Sequence, residues 1–543
     1  MGFVLLATGS KAQDKYWVFF QDKGLEAAQF SAGAEKLLSP RAIARRARHG
    51  FTFSPADYPV SATYLRQLQD AGVQIHATSK WMNAASIRTA LDYRHLQQAC
   101  PAIVDMRPVG RYICTSHPAA TSISQITDTL PDSSSTSFTY GVSANQLDKM
   151  ELPCLHERGY TGEGVLVAVF DAGFYNVDTI SAFDSTWLNN RVVSYYDFVD
   201  NDSTIFNEST HGLGVISTII ANRPGVYVGA APHVSVVMAR TENVFSETHQ
   251  EEDDWLRAME WADSIGVDII QSSLGYNYFD TGEGDYTYQD MNGDTAIITR
   301  AADLAAARGI LVVTSAGNEG NGSWRYITAP CDADSVLCVG SINPNDTRSS
   351  FSSVGPTADG RIKPDVVAMG GAARIINTSG NPGTGSGTSF AAPQIAGLVA
   401  CLIQAHPNRS NMDVIAAVKQ SADQFLNPDS LLGHGVPNAC IADSILSEMD
   451  SLALESATME NIQQYVRIFP NPAEDILVLE VNTSQPRLQK IDVLNAAGAR
   501  VIGIPVTQKS IYEIGVQDLP AGMYILRMDF GDGRLHSEKF IRQ

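Results

Sequence analysis

Four short apolar runs in the middle of the chain, at residues 165–170 (VLVAVF), 267–271 (VDIIQ), 310–314 (ILVVT) and 336–339 (VLCV), constrain the fold more than any other feature. They are rich in β-branched residues and do not alternate with polar ones, as strands covered on both faces of a parallel sheet require. Helical periodicity fills the gaps, at residues 251–265 with Trp255, Met259, Ala262 and Ile265 on one face, and at 295–308. Strand and helix in alternation predict a doubly wound α/β domain, in which functional residues gather at the carboxyl ends of the strands.

On either side the pattern changes. Residues 16–20 (YWVFF) read as an aromatic strand, followed by Leu38-Ser39-Pro40, a basic helical stretch at 41–49, a second helix at 64–71 and a strand at 73–77. Together these make a small α+β module. Residues 121–137 are rich in Ser and Thr and nearly free of aliphatics, which predicts an exposed, cleavable linker. From residue 466 onward, short alternating strands at 476–481, 491–494 and 524–528, separated by Asn/Gly/Pro turns, predict a small β-sandwich. Charge divides the chain the same way: residues 1–118 carry +6, 119–460 carry −27 and 461–543 are neutral, within a total of −21 over 543 residues. So acidic a chain argues against nucleic acid or an anionic membrane surface as the main partner.

The apolar run at residues 3–8, followed by Ser10-Lys11-Ala12, resembles a signal-peptidase site and is read as a signal peptide over 1–13, either continuing upstream or, as the alternative, no more than a ragged N-terminus. No other stretch has the roughly 20 apolar residues of a transmembrane helix. Of seven cysteines, Cys331 and Cys338 bracket a turn and are either a short-loop bridge or two buried thiols. Asp290, Asn292 and Asp294 place oxygens at alternate positions, but no acidic residue completes a calcium-loop spacing. An Asx turn is the simpler reading, with structural calcium left open. His156, His233, His406 and His434 show no ligand spacing.

Four residues carry chemistry. Asp171 directly follows the first buried run, where a buried carboxylate needs a partner such as histidine. His211 opens an apolar helical string (HGLGVISTI), with Gly212 allowing another chain close to the ring. Ser389 lies in GTSFAAP after Gly383, Gly385 and Gly387, at the start of an apolar helix. Its own N–H is free there, and the positive end of the helix suits an oxyanion beside the hydroxyl. Asn318, in AGN past the run ILVVT, supplies an amide from another strand end.

Taken jointly, the strings FDAGF, HG, SSLG, AGN and GTSFAAP, in the order Asp, His, Asn, Ser, resemble the subtilisin-like serine proteases, or subtilases. The resemblance covers about residues 140–450. It implies that Ser389 is the nucleophile, His211 the general base, Asp171 the group that fixes the tautomer of His211, and Asn318 an oxyanion donor. It also implies that Ser273, Leu274 and Gly275, with Ser315, Ala316 and Gly317, line the substrate cleft. No metal ligand and no required cofactor follow from it. Two positions depart from the family pattern: Ala172 stands where a small hydroxyl is usual, and Leu213 where HGT has its threonine. Residues 14–118, with SPRAIARRARHG and YPVSATYLRQLQDAGVQI, resemble the propeptides of exported bacterial subtilases, which implies a folding chaperone and temporary inhibitor. The alternatives for this module are substrate recruitment and, for its arginine run, a plain solvated helix face. Residues 461–543, with IFPNPAEDILVLEV, IDVLNAAGARV and DLPAGMYILRM, resemble type IX secretion sorting domains of Bacteroidetes.

The expectation is therefore a secreted or cell-surface serine endopeptidase made as a zymogen: signal 1–13, propeptide 14–118, linker 119–139, peptidase 140–450 and sorting domain 461–543. It would act on polypeptides as a monomer, after export through the periplasm and outer membrane. The rival functions are a catalytically silent subtilase fold used for binding, and an esterase or amidase of small substrates.

Overall fold

The computed structural model describes residues 14–24, 36–51, 53–109, 139–463, 466–481, 488–507, 510–530 and 535–543. The expected signal peptide and nearly all of the expected linker lie outside these residues. The chain divides into two compact units, Met1–Leu446 and Ser447–Gln543.

Within the first unit, residues 14–109 build a four-stranded antiparallel sheet, β1 (Asp14–Phe20), β2 (Gln74–Ser79), β3 (Ala84–Thr89) and β4 (Ile103–Pro108), in the order β2-β3-β1-β4. Three helices accompany it: α1 (Pro40–Arg48), α2 (Ala62–Asp70) and α3 (Tyr93–Ala99). The aromatic run in β1 explains why this module does not stand apart. Successive side chains of a strand point to opposite faces. Val18 and Phe20 enter a core with Leu68 of α2 and Leu96 of α3, whereas Trp17 and Phe19 enter the core of the peptidase with Trp255 and Met259.

Residues 139–446 form the doubly wound α/β domain. Its sheet has seven strands, β5 (Leu166–Asp171), β6 (Val192–Asp197), β7 (Ser235–Arg240), β8 (Ile269–Ser272), β9 (Leu311–Ser315), β10 (Leu337–Ile342) and β11 (Val366–Met369). They are parallel, in the order β11-β10-β9-β8-β5-β7-β6. Every residue of β5, β8, β9, β10 and β11 is buried, as the unbroken apolar runs require. Helices α4 (His211–Ile220), α5 (His249–Ile265), α6 (Ile297–Ala306) and α7 (Thr388–Ala405) cover the sheet. Because β7 joins β5 on one side and β8 on the other, the strand order reverses at β5, the place where doubly wound sheets open a crevice. Among the described residues α7 alone is long and apolar enough to cross a membrane, and it is the buried central helix of this domain.

Helix α5 is where the first module docks. Ser39 Oγ accepts from the Ala42 N–H at 3.0 Å to cap α1, and donates to the Ile265 carbonyl at 2.7 Å at the end of α5. Arg45 and Arg46, 0% and 3% exposed, bond the carboxylate oxygens of Asp263 at 2.6 Å each, and Arg46 also reaches Asp57 at 2.9 Å. The arginine run is therefore not a solvated helix face. Lys15 pairs with Asp253 at 2.7 Å, and Glu260 accepts from Ser79 Oγ at 2.7 Å and the Trp81 N–H at 3.2 Å.

Cys331 pairs with Cys338, and Cys154 with Cys440 across a separation of 286 residues. The second pairing carries no sequence signal, since only the fold brings its partners together.

The second unit contains two antiparallel sheets. One has β12 (Val466–Phe469), β13 (Ile476–Val481) and β16 (Ile511–Gly515); the other has β14 (Lys490–Asn495), β15 (Arg500–Ile504), β17 (Gly522–Asp529) and β18 (Leu535–Arg542). Leu477 and Leu479 of the first share one core with Ile491, Val493, Leu526 and Phe540 of the second, which makes a small sandwich.

Candidate active site

Asp171 ends β5 and is fully buried. Its Oδ1 accepts from the Ala172 N–H at 2.8 Å, and its two oxygens lie 2.9 and 3.0 Å from His211 Nδ1. His211 opens α4 with its side chain 36% exposed. A Cβ on Gly212 would sit 2.1 Å from the Gly173 carbonyl oxygen and 3.1 Å from Asp171 Cβ. Only glycine lets the helix begin this close to the end of β5.

Ser389 is the second residue of α7. Its hydroxyl donates to the Ser273 carbonyl at 3.3 Å, while Ser273 Oγ donates to the Ser389 carbonyl at 2.8 Å, which clamps the start of α7 to the end of β8. Among the described residues no hydrogen bond joins His211 to Ser389. Asn318, three residues past β9, accepts on Oδ1 from the Thr388 N–H at 2.9 Å and from Thr388 Oγ1 at 3.1 Å. Those bonds fix which end of the amide is the oxygen and leave its nitrogen free to donate elsewhere. A Cβ on Gly387 would lie 3.7 Å from both Asn318 Nδ2 and Ser389 N and 3.8 Å from Asn318 Oδ1, so the two nitrogens lie close to one point. Thr388, which orients Asn318, is a contributor that the sequence reading passed over, although it stands in GTS directly before the serine.

The expected cleft residues follow the same strands. Ser273, Leu274 and Gly275 come directly after β8; Ser315 ends β9, and Ala316 and Gly317 follow it. Added Cβ atoms on Gly275 and Gly317 would stand 2.2 and 2.8 Å from Thr328 Oγ1, so both segments pack on one side chain. The Asp290 region contributes nothing here. Asn292 Oδ1 accepts from the N–H groups of Asp294 and Thr295 at 3.0 and 3.1 Å, an Asx turn that uses the oxygen internally.

Electrostatics single out His211. Burial opposes its protonation, but the charge of Asp171, the hydrogen bond to it and the charge of Glu242 outweigh burial and raise the imidazole to about 9. Glu242 follows β7, close enough for its charge to act on Asp171, and no sequence motif marks it. With Glu247 and Glu251 it forms a group of three carboxylates, each raised above the ordinary range by burial first and then by neighbouring negative charge. Three glutamates spread over ten residues of loop and helix start carry no recognisable spacing.

The chain belongs to the subtilase family of peptidases, whose model matches residues 162–435. It is a serine endopeptidase. A peptidase S8 propeptide domain of Bacteroidota type matches residues 15–111, and a secretion system C-terminal sorting domain matches residues 467–543, which makes the protein secreted or cell-surface. It is 32% identical over 307 residues to subtilisin NAT of Bacillus subtilis subsp. natto, covering 56% of this chain and 70% of that one. It is 29% identical over 313 residues to the serine protease AprX of Bacillus subtilis (strain 168), covering 51% of this chain and 66% of that one. A solved protease from Pseudoalteromonas arctica aligns over 57% of this chain and all of its own, at 22% identity and a TM-score of 0.44.

Proposed function

We propose that this subtilase cleaves polypeptides through an acyl-enzyme, with Ser389 as nucleophile, His211 as general base and Asp171 as its orienting partner. The observation that carries the reading is the convergence of three strand ends, those of β5, β8 and β9, with the starts of α4 and α7: the Asp171–His211 pair, the Ser273 clamp on Ser389, and the nitrogens of Asn318 and Ser389 close to one point. The serine hydroxyl turns from the Ser273 carbonyl to His211 Nε2, gives up its proton and attacks the scissile carbonyl. The oxyanion so formed accepts from Asn318 Nδ2 and the Ser389 N–H. His211 then protonates the leaving amine, and water hydrolyses the ester by the same route. Ser273, Leu274 and Gly275, with Ser315, Ala316 and Gly317, hold the substrate backbone. These groups suffice for acyl transfer, and no cofactor is invoked.

Residues 14–118 act as an intramolecular inhibitor, a role supported by their buried ion pairs with α5, and the sorting domain directs type IX export of a monomeric enzyme. Tyr140 is buried and bonds His156 Nδ1 at 2.9 Å, so maturation cuts before it, within 118–139.

Purified protein and a Ser389→Ala variant incubated with a denatured protein substrate test this. Cleavage is expected to fall by about 10⁶ in kcat, the scale seen on removing the serine of subtilisin. Equal cleavage by both would sink the nucleophile assignment, and none by either would favour a silent binding protein.

A further inference from the structure

One oxygen from each of Glu242, Glu247 and Glu251 lies within 4.8 Å of the other two. Two oxygens held at about 2.3–2.6 Å from one calcium ion are at most about 4.6–5.2 Å apart, so this spacing fits a single ion. The three carboxylates come from different places: Glu242 two residues past β7, Glu247 from the loop beyond it, and Glu251 from the first turn of α5. Among the described residues none of them is in an ion pair. Glu251 is 2% exposed; its Oε1 accepts from the Thr248 N–H at 3.1 Å to cap α5, while its Oε2 is buried without a partner, as is Glu242 Oε2.

A separate observation points to the same spot. Tyr276, in the segment after Ser273-Leu274-Gly275, is 1% exposed, and its hydroxyl has no hydrogen-bond partner. The charges that act on that hydroxyl are those of Glu242, Glu251, Glu247 and Glu252. A buried hydroxyl left unpaired is costly and is retained where something else satisfies it. Oxygen atoms alone, at high negative charge, select a hard cation over any neutral ligand.

We propose that Glu242, Glu247 and Glu251 form a calcium site that ties the 242–247 loop to the start of α5. The site is separate from the Asp290 turn. It also does not depend on proteolysis, because it is tested on protein whose nucleophile is removed. Calcium is titrated calorimetrically into chelator-treated, full-length Ser389→Ala protein and into the same protein carrying Glu247→Gln or Glu242→Gln. The parent is expected to bind, and both variants to lose one binding event or weaken at least about tenfold. Calcium is likewise expected to raise the melting temperature of the parent and not of the variants. In chelator the variants should melt no lower than the parent, since each removes a repelling charge, and this shows that they fold. Isotherms unchanged in both variants overturn the proposal. So does unchanged calcium binding accompanied, in the Ser389 enzyme, by lost discrimination for substrates with a lysine near the scissile bond, which would make the cluster a subsite for basic side chains.

Discussion

Asn318 and the Ser389 N–H differ in how they are held. The N–H is fixed by the first turn of α7, but among the described residues the amide is held by Thr388 alone, so the proposed Asn318 donor can be removed without moving the serine. Asn318→Ala is expected to lower kcat by about 10²–10³ with little change in KM, as loss of the matching asparagine does in subtilisin. Steady-state kinetics on a peptide ester and a peptide amide check it, and a change confined to KM would reassign the residue to substrate binding. His211 sets a pH dependence of definite sign. Its pKa is raised from 6.5 to about 9, so the protonated form is favoured by the fold. Stability from the Asp171–His211 pair is then fully present below pH 6.5 and lost as pH rises through about 9. Activity runs the other way, because a general base must be neutral, and kcat/KM should climb through a midpoint near 9. Melting temperatures of Ser389→Ala and of Ser389→Ala with His211→Gln should converge as pH approaches 10. A gap constant from pH 6 to 10 would refute the assignment.

Among the elements, legibility in sequence followed burial. β5, β8, β9 and β10 were readable because both their faces are covered, leaving no polar position to break the run. β6 was not, since it is the sheet edge and mixes exposed and part-buried positions, and β7 ends in Arg240, a buried charge held by Asp197 at 2.7 Å. α4 is buried all round after its first residue, which erases the periodicity that marks a helix. Of the candidate site, the motifs gave Asp171, His211, Asn318 and Ser389, whereas Thr388 and the glutamate cluster depend on which loops the fold brings together. The docking helix α5 offers a test at this scale. Asp263 is fully buried between Arg45 and Arg46, and removing one partner of a buried ion pair strands the other charge. Asp263→Asn in full-length Ser389→Ala protein should therefore cost about 3–5 kcal/mol, read as an earlier urea midpoint with unchanged slope. A shift under about 1 kcal/mol would place these arginines among surface pairs.

Over the whole molecule, the +6 of residues 1–118 faces the −27 of residues 119–460, and the two charges act at different distances. Fields from exposed charges reach about 8 Å at physiological ionic strength and steer partners before contact. The pairs that hold the complex together are of another kind: Lys15 with Asp253, and Arg45 and Arg46 with Asp263, have side chains at most 4% exposed, where salt has little access. Sequence charge alone suggests that high salt loosens the grip of the propeptide, but the burial of these pairs moves the effect from dissociation to encounter. The N-terminal module added back to the mature enzyme should associate about tenfold or more slowly between 50 and 500 mM salt, while its dissociation rate stays within about twofold. Slow-binding inhibition progress curves give both rates. A dissociation rate that rises with salt as steeply as association falls would mean that the ion pairs of α5 are open to solvent in the working complex.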